Sequence, residues 1–178
     1  MNHLQNGLYQ IHGKLYPLAF PAVMGIINLT DDSFYSGSRA MNAEAVIRIL
    51  EKHLAEGADI IDLGASSSRP GSMPVETHKE EARIMHALEL VQSQAPGTLI
   101  SVDTWRSSVA DLALKKGAAM INDISGGSLD PDLIKVVARH QAPYIAMHMR
   151  GTPDQMHLPE NQIYDDLIPD IIRYFANK

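Results

Sequence analysis

Five short apolar segments, separated by segments with helical spacing, most strongly limit what this 178-residue chain can fold into. They are rich in Ile, Val, Leu and Met and do not alternate with polar residues, which is typical of strands covered on both faces. We predict strands at Val23–Asn28, Asp59–Gly64, Leu99–Asp103, Met120–Ile124 and Tyr144–Met149. A shorter pair, Leu8–Ile11 and Lys14–Leu18, flanks His12-Gly13 and predicts a small hairpin, because Gly13 can take positive φ.

Helical patterns fill the intervals between these strands. We predict helices at Ala43–Glu56, Glu76–Gln94, Ser107–Lys116, Asp130–His140 and Tyr164–Asn177. Asn42 is a candidate N-cap for the first helix, and Asp130-Pro131 matches an N-cap followed by proline at the first helical position. Alternating strands and helices imply right-handed βαβ units and therefore a parallel sheet.

Two parallel architectures fit this alternation, the doubly wound open sheet and the (β/α)₈ barrel. A nucleotide-binding open sheet often has a glycine-rich loop after its first strand, and neither GxGxxG nor GxxxxGK[ST] occurs here. Polar residues instead end nearly every strand, as at the active-site face of a barrel: Asn28, Ser66–Arg69, Asp103, Asn122 and His148. We predict a single α/β domain of the TIM-barrel type over residues 1–178, with about five of the eight βα units present. Five units alone would expose a sheet edge and apolar helix faces, so we expect a barrel truncated at its C-terminal end.

Composition excludes several classes of protein. The formal net charge of -6 disfavours a general nucleic-acid or membrane-surface binder, which would need a basic face. There is no cysteine, hence no disulfide and no thiolate metal site. No apolar run approaches the roughly 20 residues of a membrane span, and no signal-peptide pattern is present, so we expect a cytoplasmic protein. The chain also lacks HExxH and GxSxG motifs and clustered histidines.

The polar ends of the first two strands each allow two interpretations. Asn28 can offer its carbonyl oxygen to a hard cation such as Mg²⁺, or it can begin an Asx turn. The loop Ser66–Gly71 places serine hydroxyls beside the guanidinium of Arg69. Such a loop can bind a phosphate or carboxylate, or it can be an ordinary solvated loop.

The ends of the next three strands also allow two interpretations each. Asp103 can accept hydrogen bonds from a ligand's N–H edge, or it can cap the helix near Trp105. Asn122 offers a donor and an acceptor to a heterocycle with an amide-like edge, or it can join an internal network at the strand end. His148 is either an acid–base group or a packed structural histidine.

Taken in order, these segments resemble dihydropteroate synthases. That family's MGI-x-N-x-TPDSF pattern is matched by Met24–Phe34 and its SxRPG-like loop by Ser66–Gly71; SVDT, INDI and MHM-x-G-x-P follow at Ser101–Thr104, Ile121–Ile124 and Met147–Pro153. The match covers nearly the whole chain, but only the family's first two-thirds. The resemblance implies a barrel enzyme of folate biosynthesis that uses Mg²⁺. It would join a dihydropterin diphosphate to p-aminobenzoate and release diphosphate.

The resemblance also implies roles for single residues. Asn28 matches the asparagine that helps hold Mg²⁺ and the diphosphate, and Arg69 matches an arginine that contacts phosphate. Asp103 and Asn122 match residues that hydrogen-bond the pterin, and Met147 matches a residue lining the pterin pocket. Asn28, Arg69 and Asp103 are therefore the expected catalytic residues.

The p-aminobenzoate side of the site is implied in the same way. Ser68 and Pro70 match positions near p-aminobenzoate. Asp32, Ser33 and Phe34 match the mobile first loop that closes over it, where sulfonamide drugs also bind.

Two departures from the family pattern qualify this reading. Asp31 stands where the family usually has proline, which frees φ and adds charge in the closing loop. The family's later motifs, which supply further pterin and diphosphate ligands, do not occur in the chain. We therefore expect part of a pterin site with little synthase activity by itself, and a homodimer only for a full-length form. The alternatives are an inactive fragment, a non-catalytic pterin-binding module, or a pterin-binding methyltransferase domain.

Overall fold

A short hairpin and five βα units make up the fold, in a computed structural model that describes residues 7–11, 13–18, 21–29, 39–66 and 75–178. The strands in this part of the chain are β1 Gly7–Ile11, β2 Lys14–Leu18, β3 Met24–Asn28, β4 Ile60–Gly64, β5 Leu99–Asp103, β6 Met120–Asp123 and β7 Tyr144–Ala146. The helices are α1 Arg39–Ala55, α2 Thr77–Gln94, α3 Ser107–Lys115, α4 Leu133–Arg139, α5 Pro159–Gln162 and α6 Leu167–Ala176.

Strands β3 to β7 form one parallel sheet in the order β3-β4-β5-β6-β7. Each strand lies beside the one that precedes it, as in a (β/α)₈ barrel, whereas a doubly wound sheet reverses its order at a switch point. The prediction of a barrel-type fold with about five units is therefore confirmed. The hairpin is confirmed as well: β1 and β2 pair antiparallel around Gly13, whose φ is 74°.

One face of the sheet carries the hydrophobic core. Ile27, Leu63, Val102 and Ile121 pair along one row of the sheet and are at most 1% exposed. They pack in a single cluster with helix residues such as Leu88. Each such side chain contributes about 1.5–3 kcal/mol when fully buried, so this layer fixes the helices against the sheet. None of the helices described is long and apolar enough to cross a bilayer.

Three predicted helix starts are wrong, those of α1, α6 and α4. Helix α1 begins at Arg39, so Asn42 lies inside the helix and is not its N-cap; Arg39, Ala40 and Met41 are good helix formers and continue the helix past the polar residue. Helix α6 begins at Leu167 rather than three residues earlier.

Asp130 also differs from its predicted role. Helix α4 begins at Leu133, and the carboxylate of Asp130 accepts hydrogen bonds from the backbone N–H of Ser107 at 2.7 Å and of Asp132 at 3.0 Å. One carboxylate therefore satisfies backbone donors at the starts of both α3 and α4, where unpaired N–H groups would otherwise remain.

The remaining strand and helix faces carry exposed apolar groups. Ile168 and Ile172 of α6 are each 62% exposed, and Ile26 is 56% exposed on the sheet face opposite the core. These are the faces that the five-unit prediction expected to be uncovered.

Candidate functional site

The carboxyl ends of four neighbouring strands bring polar residues into one row. Asn28 pairs with Gly64, Gly64 pairs with Asp103, and Asp103 pairs with Asn122 in the register of the parallel sheet. Because side chains alternate between faces, this row lies opposite the helix-covered core row. Three predicted site residues, Asn28, Asp103 and Asn122, therefore share one face and one end of the sheet.

Gly64 leaves room for the side chains on either side of it. A Cβ atom at this position would lie 3.3 Å from Oδ2 of Asp103 and 3.5 Å from Oδ1 of Asn28. The two oxygens approach Gly64 from the strands on either side of β4, so they are no more than about 7 Å apart. A glycine here therefore lets an amide oxygen and a carboxylate oxygen approach one another.

Asp103 is the electrostatically unusual member of the row. Burial, together with the nearby carboxylates of Asp62 and Asp123, raises the pKa of its carboxyl to about 7. The helix-capping alternative does not apply, because the backbone N–H of Arg106 donates to the hydroxyl of Thr104 at 3.2 Å. No hydrogen bond to the Asp103 carboxylate comes from the residues that the structure describes, so it is available to a ligand's donors.

The side chain of Asn122 is hydrogen-bonded to Asp62 of β4, a residue that the sequence did not identify as part of the site. Its Nδ2 donates to Oδ2 of Asp62 at 3.1 Å. The amide nitrogen of Asn122 therefore belongs to an internal network at the strand end, which was one of its two predicted roles. Its side-chain oxygen is left as an acceptor. The sequence does carry a signal for Asp62, because it is a charged residue inside the apolar run Ile60–Gly64, whereas Asp103 ends such a run.

A buried ion pair supports the turn that follows Asp103. Glu80 of α2 is 1% exposed; it accepts the hydroxyl of Thr104 at 2.6 Å and is paired with the guanidinium of Arg106. Arg106 also donates to the backbone oxygen of Val75 at 2.7 Å. The network joins the start of α2 to the β5–α3 turn, and the sequence interpretation missed both charged members.

Asp123 fixes the turn beyond Asn122. Its carboxylate accepts the backbone N–H groups of Ser125 at 2.7 Å and Gly127 at 2.6 Å, and the hydroxyl of Tyr144 at 2.6 Å. Gly126 and Gly127 have φ of 54° and 78°, a conformation that favours glycine. This carboxylate is a structural anchor on the opposite face of the sheet from Asn122.

Strand β7 ends at Ala146, three residues earlier than predicted. Met147 is 38% exposed, and its N–H donates to the backbone oxygen of Asp123 at 3.0 Å, which places it beside the end of β6. The ring of His148 packs edge-on against Tyr174 at 4.6 Å between centroids and lies 5.8 Å from Tyr164. These ring contacts favour the structural interpretation of His148.

The remaining predicted site residues lie outside the described part of the chain. They are Asp32, Ser33, Phe34, Ser68, Arg69 and Pro70, together with Asp31. Their assigned roles stay predictions.

A model of the family described as "Pterin binding enzyme" matches residues 24–178, which covers all five βα units. The chain belongs to the pterin-binding enzyme family. The mitochondrial folate synthesis bifunctional protein of Pisum sativum is 46% identical over 173 residues, or 94% of this chain and 34% of the pea protein.

The fold of this chain is similar to those of solved dihydropteroate synthases. The Yersinia pestis synthase, in a sulfonamide drug complex, has 33% identity and a TM-score of 0.80 over 96% of this chain and 60% of its own. The Xanthomonas albilineans synthase, with 4-aminobenzoic acid, has 34% identity and a TM-score of 0.78 over 97% and 60%. The chain thus spans less than two-thirds of the length of each of these proteins.

Gly64→Ala is expected to weaken ligand binding at this row by about tenfold, because a methyl group 3.3 Å from Oδ2 of Asp103 makes that carboxylate shift by a few tenths of an ångström. The measurement is the dissociation constant of a dihydropterin by fluorescence titration. Gly25→Ala is the matched control: its methyl would face His53 of α1 at 2.8 Å, on the core side of the sheet. It should lower the melting temperature and leave the affinity unchanged. An unaltered affinity in Gly64→Ala would contradict the role given to the glycine.

Proposed function

We propose that this chain provides the pterin-binding part of a dihydropteroate synthase. The observation that carries the proposal is the row of Asn28, Asp103 and Asn122 at the carboxyl ends of adjacent parallel strands. Two neighbouring acceptors, the Asp103 carboxylate and the Asn122 side-chain oxygen, suit the N–H-rich edge of a pterin ring. The similarity of this chain to solved dihydropteroate synthases supports the same proposal.

The proposed reaction is a substitution at the methylene group of a dihydropterin diphosphate. The bond from carbon to the diphosphate oxygen breaks, and diphosphate leaves with the electron pair. The amine of p-aminobenzoate then forms the new C–N bond and loses a proton to solvent. Asp103, when ionised, would stabilise the electron-poor pterin, and the row would orient the ring for attack. This scheme asks for no strong general base from the chain.

The donor set near Asn28 fits Mg²⁺ only in part. Oδ1 of Asn28 and Oδ2 of Asp103 flank Gly64, and both are the hard oxygen ligands that this cation prefers. No cluster of three or more His, Asp or Glu side chains able to hold a metal occurs within the described ranges. Mg²⁺ commonly uses one or two protein oxygens with waters and substrate phosphates, so Asn28 would hold it together with the diphosphate. When bound, it would offset the charge of the leaving diphosphate.

Other assignments extend the proposal. Arg69 would contact the leaving diphosphate, while Ser68, Pro70 and the segment Asp32–Phe34 would bind p-aminobenzoate. A cytoplasmic location and a homodimer of a full-length form belong to the same proposal.

The test is a pair of measurements on one purified sample. Isothermal titration with a dihydropterin and then with dihydropterin diphosphate and Mg²⁺ gives binding; formation of 7,8-dihydropteroate from p-aminobenzoate gives activity. Binding of the pterin, lost in Asp103→Ala, is the expected result. Absence of pterin binding by the wild-type chain would overturn the proposal.

The activity measurement separates the alternatives. Dihydropteroate formation identifies a synthase, and pterin binding without turnover identifies a binding module or half-site. Transfer of a methyl group from a methylated folate to a corrinoid would instead identify the methyltransferase alternative.

A further inference from the structure

Below the site row lies a second polar row that neither the reaction scheme nor the sequence interpretation uses. Asp62 and Ser101 pair with one another on β4 and β5, two residues before Gly64 and Asp103, and they are 2% and 0% exposed. Because strand side chains repeat with a period of two, this row lies on the same sheet face as the site.

Each member of this lower row has one polar atom without a partner among the described residues. Oδ1 of Asp62 and Oγ of Ser101 are buried and accept or donate no hydrogen bond there. A buried, incompletely paired carboxylate lowers stability. An apolar residue at position 62 would fit the run Ile60–Gly64 better, so the aspartate is not explained by stability.

The bond that Asp62 does make has a defined direction. Its Oδ2 receives Nδ2 of Asn122 at 3.1 Å. A carboxylate can only accept, so the nitrogen of the Asn122 carboxamide must face Asp62, in the lower row. The oxygen of the same planar group then points away from Asp62.

We propose that Asp62 is a positioning residue that fixes the orientation of the Asn122 carboxamide and thereby selects ring ligands that carry an exocyclic amino group. With the oxygen outward, Asn122 and Asp103 both present acceptors, and a ligand must bring N–H donors to both. A carboxamide free to rotate could turn its nitrogen outward and donate to a ring carbonyl in the same place. This inference rests on the proposed pterin site, and it adds the residue that sets the site's preference.

The discriminating experiment compares two rings of the same shape. Pterin has a 2-amino group, and lumazine has an oxygen there. Dissociation constants for both are measured with the wild-type chain, Asp62→Asn, and Asp111→Asn. Asp111 lies on α3 in a partly exposed ion pair with Lys115, so its variant is a matched control for the same chemical change.

The wild type and Asp111→Asn are expected to bind pterin at least about tenfold tighter than lumazine, since an unmatched polar group in such a site is costly. In Asp62→Asn the new amide can accept from or donate to Asn122, and the preference should fall below about threefold. A merely structural role would weaken both ligands equally and keep the ratio, and that result overturns the inference.

A second measurement needs no variant and no ligand. Hydrogen exchange of side-chain amides by NMR should show the Nδ2 protons of Asn122 protected relative to those of exposed Asn177. Equal exchange rates would overturn the fixed orientation, even if Asp62→Asn does not fold. Failure of the wild type to bind either ring would overturn the proposed function, and the exchange rates would then decide the orientation separately.

Discussion

Arg106→Ala is expected to lower the free energy of unfolding by about 3–5 kcal/mol, the range typical of removing one partner from a buried ion pair. The guanidinium of Arg106 is 11% exposed and its partner Glu80 is 1% exposed. Removal of the arginine leaves a buried carboxylate whose one remaining side-chain donor, among the residues that the structure describes, is the Thr104 hydroxyl. It also removes the hydrogen bond to Val75. Urea denaturation followed by circular dichroism measures the change.

Two further variants show whether charge burial is the cause. Arg139→Ala removes a guanidinium that is 66% exposed and paired with Asp111, so a loss of at most about 1 kcal/mol is expected. Adding Glu80→Gln to Arg106→Ala removes the unpaired charge and should recover part of the stability. If the double variant is no more stable than Arg106→Ala alone, packing rather than charge accounts for the loss.

The second large effect is a dependence of pterin binding on pH through Asp103. Burial and the neighbouring carboxylates hold the pKa of Asp103 near 7. The ionised form accepts a ligand's N–H groups with both oxygens and with a full negative charge, whereas protonation removes the charge and turns one oxygen into a donor. Between pH 7.5 and pH 5.5 the affinity should therefore fall roughly 10- to 30-fold, following the loss of the ionised fraction. Titrations of a dihydropterin at several pH values measure the effect. In Asp103→Asn binding should be weaker and nearly independent of pH; a parallel slope in that variant would assign the effect to another group.

The same pKa has the opposite effect on stability. Its value in the folded chain, about 7, is above the ordinary value of 3.8, so between these pH values the folded form binds a proton that the unfolded form releases. Stability conferred by this group is therefore present at low pH and is lost as pH rises through 7. The melting temperature of the wild type, compared with that of Asp103→Asn, should rise as the pH is lowered from 8 to 5.

The strands and their order could be predicted from the sequence because each one is an unbroken apolar run between helical segments. The site followed from the same reasoning: parallel strands end on one side of a sheet, so Asn28, Asp103 and Asn122 were expected at the same end. The exact register was not predictable, since it depends on how the strands pack.

Helix ends and supporting charges were harder to predict. Proline is tolerated only in the first turn of a helix, so a helix that contains Pro169 has to begin shortly before that residue. A helix starting at Tyr164 would have placed Pro169 in its second turn. Glu80 gave no such cue, because a glutamate on a helix is usually exposed, and its burial depends on Arg106 reaching it from another element.

The order of the strands also sets how firmly each part of the site is held. Strand β5 lies at the middle of the sheet, with neighbours on both sides, and it carries Asp103. Asn28 lies on β3 and Met147 follows β7, the outer strands of the described sheet. Amides of β5 should exchange with deuterium only when most of the fold opens, whereas those of β3 and β7 should exchange through local fraying. A ligand would thus contact a rigid residue, Asp103, at the centre of the sheet, and residues that can shift, Asn28 and Met147, at its edges.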